Sequence, residues 1–171
     1  MEPLIENKCK HSKANLLEMA KGSRSTVHII ICIAIIIYCI GTAICCILRN
    51  CFPGILVSFL LTAFFAFLYL FLPYKNVNKM IKRCYELYHA EVESNLCFFE
   101  DYILNVNKQT NGETKTDYNQ IIKVSQTKNL YLMNLREQIV ILVDKNGFVK
   151  GNKDDFKRLI KEKAVHAKIR L

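Results

Sequence analysis

The sequence predicts an α+β membrane protein: a transmembrane helical hairpin, then a small antiparallel β-barrel or meander capped by a C-terminal helix. Three observations carry this reading. Two apolar stretches, 26–48 and 52–72, contain no Asp, Glu, Lys or Arg and are separated only by Arg49–Cys51. From Glu93 onward the apolar period changes from that of a helix to the alternation of strands. Near the C-terminal end, Asn152 opens a segment in which Phe156, Leu159 and Ile160 return to helical spacing.

Each apolar stretch is long enough to cross a bilayer, whose hydrocarbon core of about 30 Å needs about 20 residues of helix. The first holds ten Ile plus Val27 and Leu48. At roughly −0.3 to −0.6 kcal/mol per large apolar side chain near a helix centre, these favour insertion by about 4 to 7 kcal/mol. A helix of a soluble core would carry a polar face, which neither stretch has. The first run is also too long for the apolar region of a cleaved signal peptide, and no A-x-A site follows it.

Orientation follows from the basic residues. Lys8, Lys10, Lys13, Lys21 and Arg24 precede the first stretch, and Lys75, Lys79, Lys82 and Arg83 follow the second. The turn has only Arg49, so the positive-inside rule places both ends in the cytoplasm. Pro53 and Gly54 suit the reversal and a helix start. Small residues let helix backbones approach in lipid, where water does not drive association. Ala34, Gly41 and Cys45 share a face of the first helix, and Ser58, Thr62 and Ala66 share one of the second. These two stripes are expected to meet.

Residues 1–25 read as a polar cytoplasmic arm with weak helical character over 14–21; Leu16, Leu17 and Met19 are expected either to lie on the membrane surface or to belong to a frayed end. After the second span, Pro73 marks the membrane exit. A connecting amphipathic helix is expected over 75–92, with Val77, Ile81, Cys84, Tyr88 and Val92 on its apolar stripe. Lys75, Lys79, Lys82 and Arg83 lie mostly off that stripe and are candidate contacts for anionic lipid headgroups.

The strands come next. Leu96 and Phe98 alternate before a turn at Glu100-Asp101, and Tyr102, Leu104 and Val106 alternate after it. Asn111-Gly112 is a hairpin signal, because both residues tolerate positive φ. A return strand over 115–117, a bend over 118–121 and three strands over 122–127, 130–135 and 138–143 complete a meander of about six. The last helix has Asn152 as N-cap, Asp154 and Asp155 in its first turn, and basic residues towards its end. It covers the apolar face of a curled sheet over residues 93–171.

Reactive chemistry is not visible in this pattern. No H-E-x-x-H, G-x-S-x-G, P-loop or dinucleotide fingerprint occurs around the four histidines or elsewhere, so neither an enzyme, a cofactor nor a metal site is expected. The eight cysteines show no C-x-x-C spacing; Cys45, Cys46 and Cys51 are the candidates for a disulfide. The net charge is +9, of which +6 falls in residues 75–171. That balance suits an anionic membrane surface, and no helix-turn-helix, RNP or zinc-finger pattern points to nucleic acid.

Taken in order, "FFEDYI", "TDYNQIIKVSQTKNLYLM" and "VDKNGFVKGNKDDFKRLIKEK" behind a membrane hairpin resemble the YcxB-like proteins of bacteria. The matching positions are Phe99, Asp101 and Ile103; Tyr118, Ile121 and Val124; Lys145 and Phe148; and Phe156. Asp144 departs from the pattern, which tends to have Pro there. The resemblance implies a fold related to the pleckstrin-homology (PH-like) domain, a bent antiparallel barrel closed by a C-terminal helix, and it brings no catalytic residues.

The expected function is therefore a membrane-anchored interaction module in a bacterial cell membrane, multi-pass, with both termini cytoplasmic. Its partners are the lipid bilayer together with a peptide, another membrane protein or a second copy of the chain. The alternative is an oligomeric pore or a transporter accessory subunit, although the spans offer few polar groups beyond Ser58, Thr62, Tyr38 and Tyr69.

Overall fold

A computed structural model of the protein describes residues 2–23, 26–49, 52–136 and 139–171. The elements run β1 (Ile5–Lys10), α1 (Lys13–Gly22), α2 (Thr26–Leu48), α3 (Phe52–Tyr88), β2 (Glu93–Phe98), β3 (Tyr102–Asn107) and β4 (Glu113–Asp117). A 3-10 turn at Tyr118–Gln120 leads to β5 (Ile121–Gln126), β6 (Leu130–Leu135), β7 (Val140–Asp144), β8 (Phe148–Lys150), α4 (Lys153–Lys163) and β9 (Lys168–Arg170). The chain divides into two compact units, one of Met1–Ser23 with Val77–Leu171 and one of Arg24–Asn76.

The larger unit is built on two sheets, ordered β4-β3-β2-β1-β8 and β7-β6-β5-β9. The expected meander is present as two antiparallel runs, β2-β3-β4 and β5-β6-β7, separated by the 3-10 turn. The expected barrel is not. Among the described residues no ladder joins the two sheets: the turn at Tyr118 interrupts pairing between β4 and β5, the first sheet grows beyond β2 through β1 and β8, and β9 takes the edge of β5.

Three of these strands, β1, β8 and β9, lie outside the expected meander. Residues 5–10, expected in a loose arm, form β1 in the first sheet between β2 and β8. Ile5 pairs with Phe98 and Lys10 with Glu93, an antiparallel ladder of six pairs. The strand forms because Ile5, Asn7 and Cys9 face inward and are buried, while Glu6, Lys8 and Lys10 face away. A buried Asn in the middle of the apolar set hides this alternation from a sequence reader.

Two apolar clusters hold the unit together. Between the sheets, Phe98, Ile103, Ile121, Val124, Tyr131, Met133 and Val143 pack with Phe156, Leu159 and Ile160 of α4. Phe156 sits among aromatic rings, 4.9 Å from Tyr131, 5.4 Å from Phe98 and 6.0 Å from Phe148. Asn152 caps α4 by accepting from the N–H groups of Asp154 and Asp155. On the far face of the second sheet, Leu130, Leu132 and Leu142 pack with Leu16, Cys9 and Val77. Here α1 lies so close that a Cβ on Gly22 would stand 2.6 Å from the Thr127 methyl and 2.7 Å from Leu132.

The helix expected to connect span and domain over 75–92 is not separate. Helix α3 runs from Phe52 to Tyr88 with Pro73 inside it, and His89, at a φ of 51°, ends it. Val77 and Ile81 are core residues of the larger unit, so that unit's boundary lies within the helix rather than at residue 93.

In the smaller unit, α2 and α3 meet through Thr42 and Ser58, whose hydroxyls are 3.2 Å apart. Thr62 also donates its hydroxyl to the Ser58 carbonyl at 2.8 Å. Large apolar side chains cover the outside of both helices: Ile37 is 64% exposed and Phe59 71%. Both helices are long and apolar enough to cross a membrane.

Candidate functional site

The basic residues proposed for lipid contact are all exposed along α3. Lys75 belongs to the smaller unit; Lys79, Lys82 and Arg83 belong to the larger one. Lys82 is 3.8 Å from the Glu86 carboxylate, an exposed i,i+4 pair of little net energy. Arg24 and Cys51, named in the topology and disulfide arguments, lie outside the described residues. Cys45 and Cys46 are free thiols.

The helix-packing expectation needs correction on one helix. Ser58 is buried, and Thr62 and Ala66 are half-buried on the same face of α3. On α2, however, Ala34, Gly41 and Cys45 are exposed, and a Cβ on Gly41 would meet nothing within 4 Å. The covered face carries Cys32, Ile35, Cys39, Thr42 and Cys46 instead. Thr42 donates its hydroxyl to the Cys39 carbonyl of its own helix at 2.9 Å and meets the Ser58 hydroxyl on this covered face. Cys45, six residues beyond Cys39, then points about 120° away.

Within the larger unit, polar chemistry gathers where β1 enters. The Asn7 side chain donates to the Asp144 carbonyl at 2.7 Å and accepts from the Asp144 N–H at 3.0 Å. At the other end of β1, His11 Nε2 lies 3.2 Å from Ser94 Oγ, and Ser94 donates to the Cys9 carbonyl at 3.4 Å. Burial holds the His11 imidazole below its usual pKa and therefore favours its neutral form. Burial, reinforced by the Asp144 carboxylate, pushes the Cys9 thiol up to about 12, so it is an inert packing group rather than a nucleophile. A cavity of about 270 Å³ opens beside His11, lined also by Leu16, Ile81, Cys84, Glu91 and Val92. Its lining mixes the Glu91 carboxylate, the His11 imidazole, the Cys84 thiol, the Lys13 ammonium and the Tyr85 phenol with aliphatic walls.

The sheet edges offer a different opportunity. β4 and β8 border the first sheet, and β7 and β9 the second. The last of these is the short strand β9, laid parallel on β5 through three pairs: Lys123 with Lys168, Val124 with Ile169 and Ser125 with Arg170. Alternation of Ala167, Ile169 and Leu171, all packed against the main core, is the sequence signal that announces this strand in retrospect.

A two-sheet α+β domain with an apolar helix pair inserted between its first and later strands is thus the class of protein that this fold defines. Residues 98–160 match the family model of YcxB-like proteins, so the chain carries a YcxB-like domain. No curated protein matches the chain. The positions that carry the resemblance are structural. Ile103, Val124 and Phe156 are fully buried, and Tyr118 donates its hydroxyl to the Phe99 carbonyl at 2.7 Å, pinning the 3-10 turn to the β2–β3 corner. The match begins after β1, the three helices α1 to α3 and most of β2, so two of the five strands of the first sheet lie wholly or mostly outside it.

Proposed function

We propose that the protein is a membrane-anchored binding module, with α2 and α3 spanning a bacterial cell membrane and the two-sheet domain holding a partner protein at the cytoplasmic face. The observation that carries this reading is the position of β1. It precedes the apolar helices in sequence yet pairs with β2 and β8, which follow them. A chain whose two flanks fold into one unit must cross a bilayer an even number of times. Two spans with both flanks on one side satisfy this, and the basic flanks favour the cytoplasmic side.

Large apolar side chains exposed over two whole helices support insertion, since soluble surfaces rarely leave such contiguous patches open. Bonding of Thr42 to Ser58 between the helices, and of Thr62 to the Ser58 carbonyl within α3, supports an anchor over a pore, because these hydroxyls are engaged with each other and with backbone. Exposed Lys75, Lys79, Lys82 and Arg83 supply a second contact, to anionic headgroups, at about 1 kcal/mol each.

The test has two parts. Full-length protein should sediment with membranes and require detergent for release, and reporters fused to either end should be active only in the cytoplasm. Photo-crosslinking from residues of the larger unit in living cells should then capture a defined protein. Recovery in the soluble fraction, or an external terminus, overturns the anchor; crosslinks to lipid alone overturn the protein partner.

A further inference from the structure

We infer that the edge of β5 is a strand-accepting site, held in the present structure by the chain's own β9 as a stand-in, and that its functional occupant is an extended segment of a partner protein with apolar residues at alternate positions. This inference deepens the binding-module reading and rests on it.

The first ground is how lightly β9 is held. It makes three pairs, on one side only, in a parallel ladder, which is the weaker pairing per residue. Every other ladder of the second sheet has five pairs and is antiparallel. Between the buried Ala164 and β9 the chain turns through Val165, 73% exposed, with the Ala167 N–H donating to the Ala164 carbonyl at 3.0 Å.

Next, the tail displays the chemistry that the seat accepts. Ala167, Ile169 and Leu171 pack against the core, whereas Lys168 and Arg170 are exposed. An extended segment with small or branched apolar side chains at every second position would reproduce these contacts, and main-chain bonds to β5 would supply the rest, as in recognition by strand addition.

The acceptor strand also extends beyond what the tail covers. The ladder with β9 begins at Lys123, leaving Ile122 51% exposed just before it. The register with β6 shifts between Ile121 and Lys123, a bulge of the kind that sheets carry at edges and next to sites. At the other end of the ladder, Ser125 opposes Arg170, and its hydroxyl is buried with no hydrogen-bond partner. A longer occupant would cover Ile122, which the tail does not.

The experiment uses the full chain in detergent, a chain ending at Ala164, and a labelled peptide of residues 164–171. Amide exchange of the full chain should show residues 168–170 opening at least about tenfold faster than 130–135, as expected of a locally detachable strand. The peptide should bind the shortened chain at least about tenfold more tightly than the full chain, since the tail competes for the seat. A peptide carrying Ile169→Asp should bind neither. Protection of 168–170 equal to that of 130–135 overturns the proposal. So does absent or undiminished-by-the-tail peptide binding in a shortened chain that keeps its β6 protection. Should the shortened chain lose that protection, exchange in the full chain decides alone. Tail protection that rises with protein concentration would show a second copy's tail in the seat and overturn the separate partner. Capture of a partner by a chain whose tail never opens would leave the binding module standing and remove only this site.

Discussion

The Asn7 side chain makes with the backbone of Asp144 both hydrogen bonds that a strand neighbour would make, donating at 2.7 Å and accepting at 3.0 Å across 137 residues of chain. This pair ties β1 to β7 and so links the two sheets, which share no ladder. The arrangement explains why a buried Asn is tolerated: each of its polar groups has a partner. It also gives meaning to an Asp at position 144, a place that a proline could not fill in the same way. Proline has no N–H, and here that N–H is the donor to Asn7.

Replacing Asn7→Ala should therefore cost about 1 to 2 kcal/mol, because the half-buried Asp144 N–H loses its acceptor, while the Asp144 carbonyl keeps the Gly147 N–H. Chemical denaturation of the detergent-solubilised protein would measure it. A change below about 0.5 kcal/mol, the ordinary scatter of surface substitutions, would mean that the pair contributes nothing.

Asp144→Pro removes the N–H while keeping the carbonyl. Its cost should be about 1 to 3 kcal/mol, and in the Asn7→Ala background it should be much smaller. Full additivity of the two substitutions, read in a double-mutant cycle, would show that they do not act through this contact.

Deleting residues 2–11 should unfold the larger unit although the family-matched segment 98–160 remains whole. The deletion exposes the edges of β2 and β8 and removes Ile5 and Cys9 from the two clusters. Limited proteolysis would show rapid cleavage in β2–β4; resistance equal to the full chain would refute the discontinuous domain.

His11 should make stability fall in mild acid. Burial depresses its pKa in the folded state, so the unfolded chain binds the proton first. Stability is then full above the ordinary value of 6.5 and declines as pH drops below it, by at most about 1.4 kcal/mol per pH unit. Comparing melts at about pH 7 and about pH 5.5 for the native chain and His11→Asn checks the sign. An unchanged slope in the variant would assign the effect elsewhere.

Between the apolar helices, Thr42→Val and Ser58→Ala should each weaken association, with a coupling of about 0.6 to 1.7 kcal/mol in a double-mutant cycle. Gly41→Ala should have no effect on it, since that face is open. The reverse ranking would restore the Ala34–Gly41–Cys45 face as the contact.

Much of this protein is written locally. Charge-free runs of 23 and 21 residues announce the apolar helices, alternation announces β2 to β7, and Asn152 announces the start of α4. These features depend on neighbours one to four residues away, which a reader of the chain can see. Tertiary structure alone decided the rest. β1 gains its place from partners about 90 residues distant, its polar Asn7 acceptable only because Asp144 stands opposite. Rotation of α2 places Thr42 against Ser58 of another helix and leaves Ala34, Gly41 and Cys45 exposed. β9, three residues long, becomes a strand only where β5 offers an edge. In each case the deciding energy lies in a contact between segments remote in sequence, and no window along the chain contains both halves of it.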